Sequence, residues 1–296
     1  MPARMAPVRL VRGICTTALL LRALAPSAAA QVAPVEDFDP AGVLHRSILT
    51  AAREEARRYV LDAGGILTSP LRWDGSQWIR AAAVVAALGV VASEDDAIDE
   101  KFRSHRSSQT DAFARGVTPL GSYAGVGLSA AALGSGLLFK DDALRETGRD
   151  AIEAELLAAG VLTPLLKITL GRLRPVQGSD ADEFHAFSGR NSFPSGHATE
   201  AFAIASVFAA RSRGWVVPTL AYALASGVAF ARINDRAHFA SDVVGGAVLG
   251  TVVGRSIVRR HSDERESLVP SVLPLVTRRG AGLMLSWSFG GKATLR

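Results

Sequence analysis

The 296-residue chain is about twice an ordinary single-domain length and can bury a sizeable core. Hydrophobic residues make up 48% and charged residues 21%, which excludes a disordered chain and a coiled coil, while a mean hydropathy of +0.21 is high for a cytosolic protein and modest for a dense transmembrane bundle. A formal charge of +5 raises nucleic acid or an anionic membrane surface as partners, so the location of the charges decides between classes.

Residues 1–30 carry Arg4, Arg9 and Arg12, an apolar run from 14 to 21, and Ala28, Ala29 and Ala30 before Gln31, the order of a secretory signal peptide cleaved after Ala30. Arg22 interrupts the apolar stretch, which keeps an uncleaved anchor open. Removing this segment leaves 29 basic against 28 acidic residues, so most of the excess charge belongs to the export address, and no nucleic-acid partner is expected. The cut also removes Cys15, the only cysteine, leaving a mature chain without disulfide or thiolate chemistry.

From 40 to 63, Val43, Leu44, Ile48, Leu49, Ala52, Ala56 and Val60 recur at helical spacing with charges between them, predicting an amphipathic helix within an extension over 31–76. Helices are then predicted at 77–93, 108–115, 119–139, 142–171, 197–211, 215–231 and 239–258, giving an all-α bundle over 77–262. A tail over 263–296 is expected to hold a short β-hairpin, with strands at 272–277 and 283–289. The acidic run Glu94, Asp95, Asp96, Asp99 and Glu100 has no matching second cluster and reads as a solvated loop. His45, His105, His185 and His261 read as satisfied core histidines.

Two uncharged stretches, 24 residues over 116–139 and 18 over 214–231, are long enough to span a bilayer. Those at 81–93, 156–166, 201–210 and 243–254 have only 10 to 13 residues, the range of buried core helices.

Three segments hold the residues with chemistry. Lys167 and Arg174 are seven apart, two helical turns, so they project from one face, and Pro175 stops the helix beyond them. Ser195 and Gly196 open the helix that begins near His197, where free backbone N–H groups and the helix dipole attract an oxyanion. Arg232 precedes His238 and Asp242, which are four apart on an expected helix, so the carboxylate can orient one imidazole nitrogen and leave the other to attack. No zinc-type spacing is present, and no metal or other cofactor is expected.

The pattern Lys-x6-Arg-Pro, Pro-Ser-Gly-His, Arg-x5-His-x3-Asp over roughly 150–260 resembles the type 2 phosphatidic acid phosphatase family, which embraces bacterial acid phosphatases and vanadium haloperoxidases. The resemblance implies that Lys167, Arg174, Ser195, Gly196 and Arg232 bind phosphoryl oxygens. It also implies that His238 attacks phosphorus, that His197 protonates the leaving oxygen and later activates water, and that Asp242 orients His238. Ala231 replaces the Ser usual in the family, and altered local hydrogen bonding without loss of activity is expected. The implied function is metal-independent hydrolysis of phosphomonoesters or diphosphates, of envelope lipids or of small soluble phosphoesters. The alternatives are a soluble periplasmic nonspecific acid phosphatase, a vanadium-dependent haloperoxidase and an inactive lipid-phosphate binding protein.

Six spans after a cleaved signal would put the active-site loops in the cytoplasm and the basic segments 211–213 and 255–265 outside, against the positive-inside tendency. Five crossings, with 81–93 not spanning, reverse this. The expected location is the cell envelope with the site facing the periplasm, membrane embedding being favoured over a soluble bundle.

Overall fold

The computed structural model describes residues 40–177, 180–268, 271–277 and 280–286. The expected export signal, Cys15 and positions 287–289 of the expected second strand lie outside the described residues. Contacts divide the chain into units Met1–Arg53 and Glu54–Arg296. Of the first unit only the helix from Pro40 is described.

Among the described residues ten α-helices follow in order: α1 (Pro40–Leu67), α2 (Gly75–Ser93), α3 (Asp95–His105), α4 (Ser108–Val117), α5 (Tyr123–Phe139), α6 (Asp142–Glu155), α7 (Thr163–Leu170), α8 (Gly196–Arg211), α9 (Val216–Asn234) and α10 (Ala240–Leu268). A two-stranded antiparallel hairpin closes the described chain, β1 (Ser271–Thr277) pairing with β2 (Gly280–Ser286) in the register Val272 to Leu285 and Leu275 to Gly282.

Local chemistry sets the helix boundaries. Asp74 accepts from Gln77 N at 2.9 Å while Gln77 Oε1 accepts from Asp74 N at 2.8 Å, a reciprocal cap that starts α2. Asp141 accepts from Leu144 N at 3.0 Å and starts α6. A π-helical turn, Leu156–Leu162, carries α6 into α7. Gly171 ends α7 at φ +60°, where a Cβ would lie 1.9 Å from the His185 carbonyl oxygen, so only glycine fits.

α8 is the central helix, packed on α6, α9 and α10. Alanine and valine form much of the core around it, including Ala154, Ala158, Ala203, Val207, Val253 and Ile257. Small residues bring the helix axes together: a Cβ on Gly246 would lie 2.5 Å from the Ser195 carbonyl oxygen, and one on Gly250 would lie 2.2 Å from that of Thr199. This close approach fixes the start of α8 against the start of α10, where the site lies.

The far end of the bundle is held by charge. His261 Nδ1 lies 2.7 Å from Asp150 Oδ1 and its Nε2 3.1 Å from Asp62 Oδ2. Arg260 donates to Asp62 at 2.6 Å, Arg58 to Glu153 at 2.9 Å and Arg211 to Asp150 at 2.8 Å. The cluster fastens the second half of α1 to α6, α8 and α10. His261 is thus a partnered buried residue, as expected, whereas His105 and His185 are exposed and belong to no core.

Among the described residues, three helices are long and apolar enough to cross a membrane: Gly75–Ser93, Val216–Asn234 and Ala240–Ser262. The longest uncharged stretch of the sequence is not one straight helix. It is broken by the 3-10 turn Thr118–Gly121, and Ser108–Gly121 and Tyr123–Phe139 meet at 47°, together qualifying as a fourth candidate. Pro119 causes the break by removing a backbone donor. The segment expected to be too short, 81–93, lies in α2, none of whose residues is buried. Val84, Val85, Leu128, Leu137, Leu220, Leu224 and Val252 all point outward.

The acidic run is corrected outright. Residues 95–105 form α3, whose first turn places Asp95 and Asp96 at the favourable end of the helix dipole, and Asp95 is only 1% exposed.

Candidate active site

The start of α8, the end of α7, the last turn of α9 and the start of α10 converge at one end of the bundle. All eight residues singled out in the sequence lie on these elements or the turns beside them. Lys167, on α7, donates from Nζ to the Asn191 carbonyl and, at 3.4 Å, to that of Ser192. Arg174 donates from Nε to Asn191 Oδ1 at 3.1 Å, so one asparagine holds both cations. Burial is the main cause that pushes the Lys167 ammonium down to about 8, and the neighbouring Arg174 charge adds to it.

Ser195 is fully buried and its N–H donates to the Asp242 carbonyl at 2.9 Å, which ties the α8 start to α10. Its hydroxyl, by contrast, has no hydrogen-bond partner. Arg232 donates through Nη2 to Thr118 Oγ1 at 3.0 Å and to Asp235 Oδ2 at 2.5 Å, while its buried Nε has no partner. Arg190 Nη1, beside Asn191 in the chain, is likewise buried and unpartnered. Buried donors without acceptors cost roughly 1–3 kcal/mol each, and they are tolerated where an anion is to be received. Beyond its own helix and chain neighbours, the nearest atom to a Cβ built on Gly196 is Thr163 Cγ2 at 3.8 Å, an ordinary contact distance.

His197 is half-buried at the start of α8, and its ring is pushed down to about 4, first by burial and then by the charges of Arg232, His238, Arg174 and Lys167. His238 is buried, and burial holds its imidazole below the ordinary value.

The His238 and Asp242 pair differs from the expectation. His238 does not share a helix with Asp242; it sits in the turn before α10, and Asp242 lies in the first turn. The carboxylate reaches back to that turn, with Oδ2 accepting from Phe239 N at 2.9 Å and lying 3.6 Å from His238 Nδ1. Ser192, also fully buried, donates to the same Oδ2 at 2.5 Å and lies 3.5 Å from His238 Nδ1. The imidazole Nδ1 thus faces both a carboxylate and a hydroxyl.

Sequence reasoning missed Ser192, Asp95 and Arg172. Arg172 is 1% exposed and bridges Asp242 Oδ1 at 2.6 Å to Asp95 Oδ2 at 2.7 Å. On the same acidic helix, Asp96 accepts from Ala181 N at 3.2 Å, and Asp99 accepts from Arg236 Nε at 2.9 Å and Nη2 at 2.6 Å. Thus α3 clamps the loops around the site. The only signal was an Arg between Lys167 and Arg174 and an acidic run of matching charge.

Among the described residues, one group has donor atoms within 4.8 Å of one another as a metal would need: Asp62, Glu153 and His261, at the far end of the bundle. Arg58 and Arg260 already pair with its carboxylates.

Residues 154–266 match the family model of the PAP2 superfamily. Over those residues, which run from the end of α6 through most of α10, the chain is similar to that superfamily. A lipid A 1-phosphatase of Porphyromonas gingivalis is 40% identical over 90 residues, which are 30% of this chain and 18% of that protein. A lipid A 1-phosphatase of Rhizobium johnstonii is 37% identical over 97 residues, 31% of this chain and 39% of that protein. The chain therefore spans well under half the length of these curated relatives. Among solved structures, Aquifex aeolicus LpxE aligns at a TM-score of 0.46 and 22% identity, covering 56% of this chain and 94% of that one. A transmembrane PAP2 type phosphatidylglycerolphosphate phosphatase from Bacillus subtilis aligns at 0.45 and 21%, covering 62% and 96%.

Proposed function

We propose that this PAP2 protein is a phosphatase that hydrolyses phosphomonoesters or diphosphates of envelope lipids through a phosphohistidine on His238. The observation that carries the reading is the pair of buried, unpartnered donors, Ser195 Oγ and Arg232 Nε, in a site that also gathers Lys167, Arg174, His197 and His238. These donors suit an anion with several oxygens.

In this reading Lys167, Arg174, Arg232, Ser195 and the Gly196 backbone hold the phosphoryl oxygens and stabilise the charge of the transition state. Asp242 and Ser192 orient His238 through Nδ1, leaving Nε2 as the attacking nitrogen. Its lone pair forms the N–P bond as the bond from phosphorus to the leaving oxygen breaks, and His197 gives that oxygen a proton. Water then attacks phosphorus, His197 takes the water proton, and the N–P bond breaks to return neutral His238 and free phosphate. The chain's own cations supply the clamp, so turnover should survive EDTA.

A lipid substrate is supported by the outward apolar residues of α2, α5 and α9 and by the names of the two curated relatives, which make lipid A the first phosphate to test. The phosphatase unit is placed at 77–262, after an extension over 31–76 and before a tail over 263–296. Arg211, Arg213, Arg255, Arg259 and Arg260 lie on the C-terminal halves of α8 and α10 or just beyond them, away from the site end, which supports a bilayer orientation with the site facing the periplasm.

A phosphate-release panel of lipid A, phosphatidate and undecaprenyl diphosphate against soluble phosphomonoesters, with and without EDTA, tests the reading. Lipid turnover that resists EDTA is expected. Equal turnover of soluble esters would overturn the lipid assignment, and no turnover of any phosphate would overturn the enzyme.

A further inference from the structure

Arg172 lies two residues before Arg174 yet cannot do the same work. A guanidinium has five N–H donors, and all five of these are occupied inside the protein. Nε donates to the Ala181 carbonyl at 2.9 Å; Nη1 donates to Ser241 Oγ at 2.7 Å and Asp242 Oδ1 at 2.6 Å; Nη2 donates to Asp95 Oδ2 at 2.7 Å and again to the Ala181 carbonyl. The guanidinium carbon also lies 4.9 Å and 4.3 Å from the ring centroids of Phe184 and Phe239. No donor remains for a substrate, so Arg172 acts through another residue, and that residue is Asp242.

Asp95 completes the arrangement. It accepts from Ser241 N at 2.8 Å, from Ser241 Oγ and from Arg172, and both it and Arg172 are only 1% exposed. Nothing in the chemistry of holding an arginine beside Asp242 requires a second buried carboxylate on a helix 77 residues away from that arginine in sequence. Charge balance does. A buried guanidinium against Asp242 alone would cancel the negative charge that His238 needs when it becomes cationic on phosphorylation. With Asp95 on its other side, the row Asp95, Arg172, Asp242 keeps one net negative charge, and the low-dielectric setting makes that charge effective over the distance to His238.

We propose that Asp95 and Arg172 are positioning residues for the phosphoryl-transfer step: Arg172 fixes which oxygen of Asp242 faces His238, and Asp95 offsets the arginine so that the cluster keeps a net negative charge toward His238. This rests on the phosphohistidine reading. It makes α3 part of the site's electrostatics.

The test is a double-mutant cycle in the purified full chain, with kcat and KM measured on a lipid phosphate that the unmodified protein turns over. Asp95→Asn is expected to lower kcat about tenfold or more with KM within about twofold, because the transition state loses charge stabilisation while the phosphate clamp is untouched. Arg172→Gln leaves two carboxylates facing each other with no cation between them and is expected to do at least as much damage. The double variant Asp95→Asn, Arg172→Gln restores one net negative charge, and its kcat should exceed that of both single variants. A purely structural role predicts the opposite, a double variant no better than the worse single one, and that result would overturn the proposal. So would an Asp95→Asn variant with unchanged kcat, which keeps the measurement decisive if the arginine variants do not fold. Phosphohistidine trapping separates the two levels: a His238→Ala protein that still turns over refutes the mechanism itself, whereas a dead His238→Ala with an unimpaired Asp95→Asn refutes only the charge-balance role.

Discussion

Anion binding at this site should take up a proton on His197, and the size of the effect follows from the structure. In the unliganded protein the ring stands at about 4 against an ordinary 6.5, held down by burial and by Arg232, His238, Arg174 and Lys167. A bound dianion offsets those cations, so the ring's affinity for a proton rises. A group whose pKa rises on binding contributes affinity that is present at low pH and lost as pH climbs through the liganded value. A full return to 6.5 would couple proton and anion by about 3 kcal/mol, and because the ring is partly exposed roughly half of that is realistic, or about tenfold in affinity. Sulfate, whose charge is constant from pH 5 to 7, is the suitable probe, with calorimetry in two buffers of different ionisation enthalpy to count protons. Affinity should rise about two- to threefold from pH 7 to pH 5 with net proton uptake, the rest of the gain appearing only as pH falls toward 4, and His197→Gln should flatten the slope while His238→Asn leaves most of it. A pH-independent affinity, or an unchanged slope in His197→Gln, would refute this reasoning.

On the alkaline side, Lys167 should set the limit, since burial and Arg174 bring it down to about 8. The kcat/KM profile should fall above that pH, and Lys167→Arg should push the fall upward by keeping the cation charged. Gly250→Ala would drive a Cβ to within 2.2 Å of the Thr199 carbonyl oxygen and should cost about 2 kcal/mol, read as a lower Tm. Gly127→Ala, whose Cβ meets nothing within 4 Å, should leave Tm unchanged or raise it. His261→Ala should cost about 2 kcal/mol by leaving Asp62 and Asp150 each short of a partner, with kinetics unaltered because that cluster lies at the other end of α10 from the site.

The legible part of the site was the part written in residue type at short spacing. Lys167 with Arg174, and Ser195 with Gly196 and His197, each declare themselves in residue type within ten residues, and the helix start at Gly196 follows from local rules; the helix face expected to carry Lys167 and Arg174 does not exist, because Gly171 ends α7 after Leu170 and leaves Arg174 in the segment beyond. What stayed hidden was held by contacts across the chain. Asp95 reaches Arg172 over 77 positions, and an acidic run is indistinguishable from a solvated loop until a buried cation is set against it. Ser192 carries no pattern of its own; only the folded loop brings its hydroxyl to Asp242. The spacing of His238 and Asp242 suggested one helix face, and the structure instead uses the start of α10, where the carboxylate also accepts Phe239 N. The uncharged stretch 116–139 reads as long enough to span, but hydropathy counts charge and not Pro119, so the 47° bend between Ser108–Gly121 and Tyr123–Phe139 carries no signal in it.

The central claim is a covalent bond between phosphorus and His238. The direct measurement is to incubate the purified protein with a lipid substrate labelled with 32P in the phosphate, quench in alkali, and map the label by peptide. Acid-labile, base-stable label on the peptide containing His238, absent from His238→Ala together with turnover, is the predicted result. Full turnover by His238→Ala, or label that maps to another residue, would contradict it.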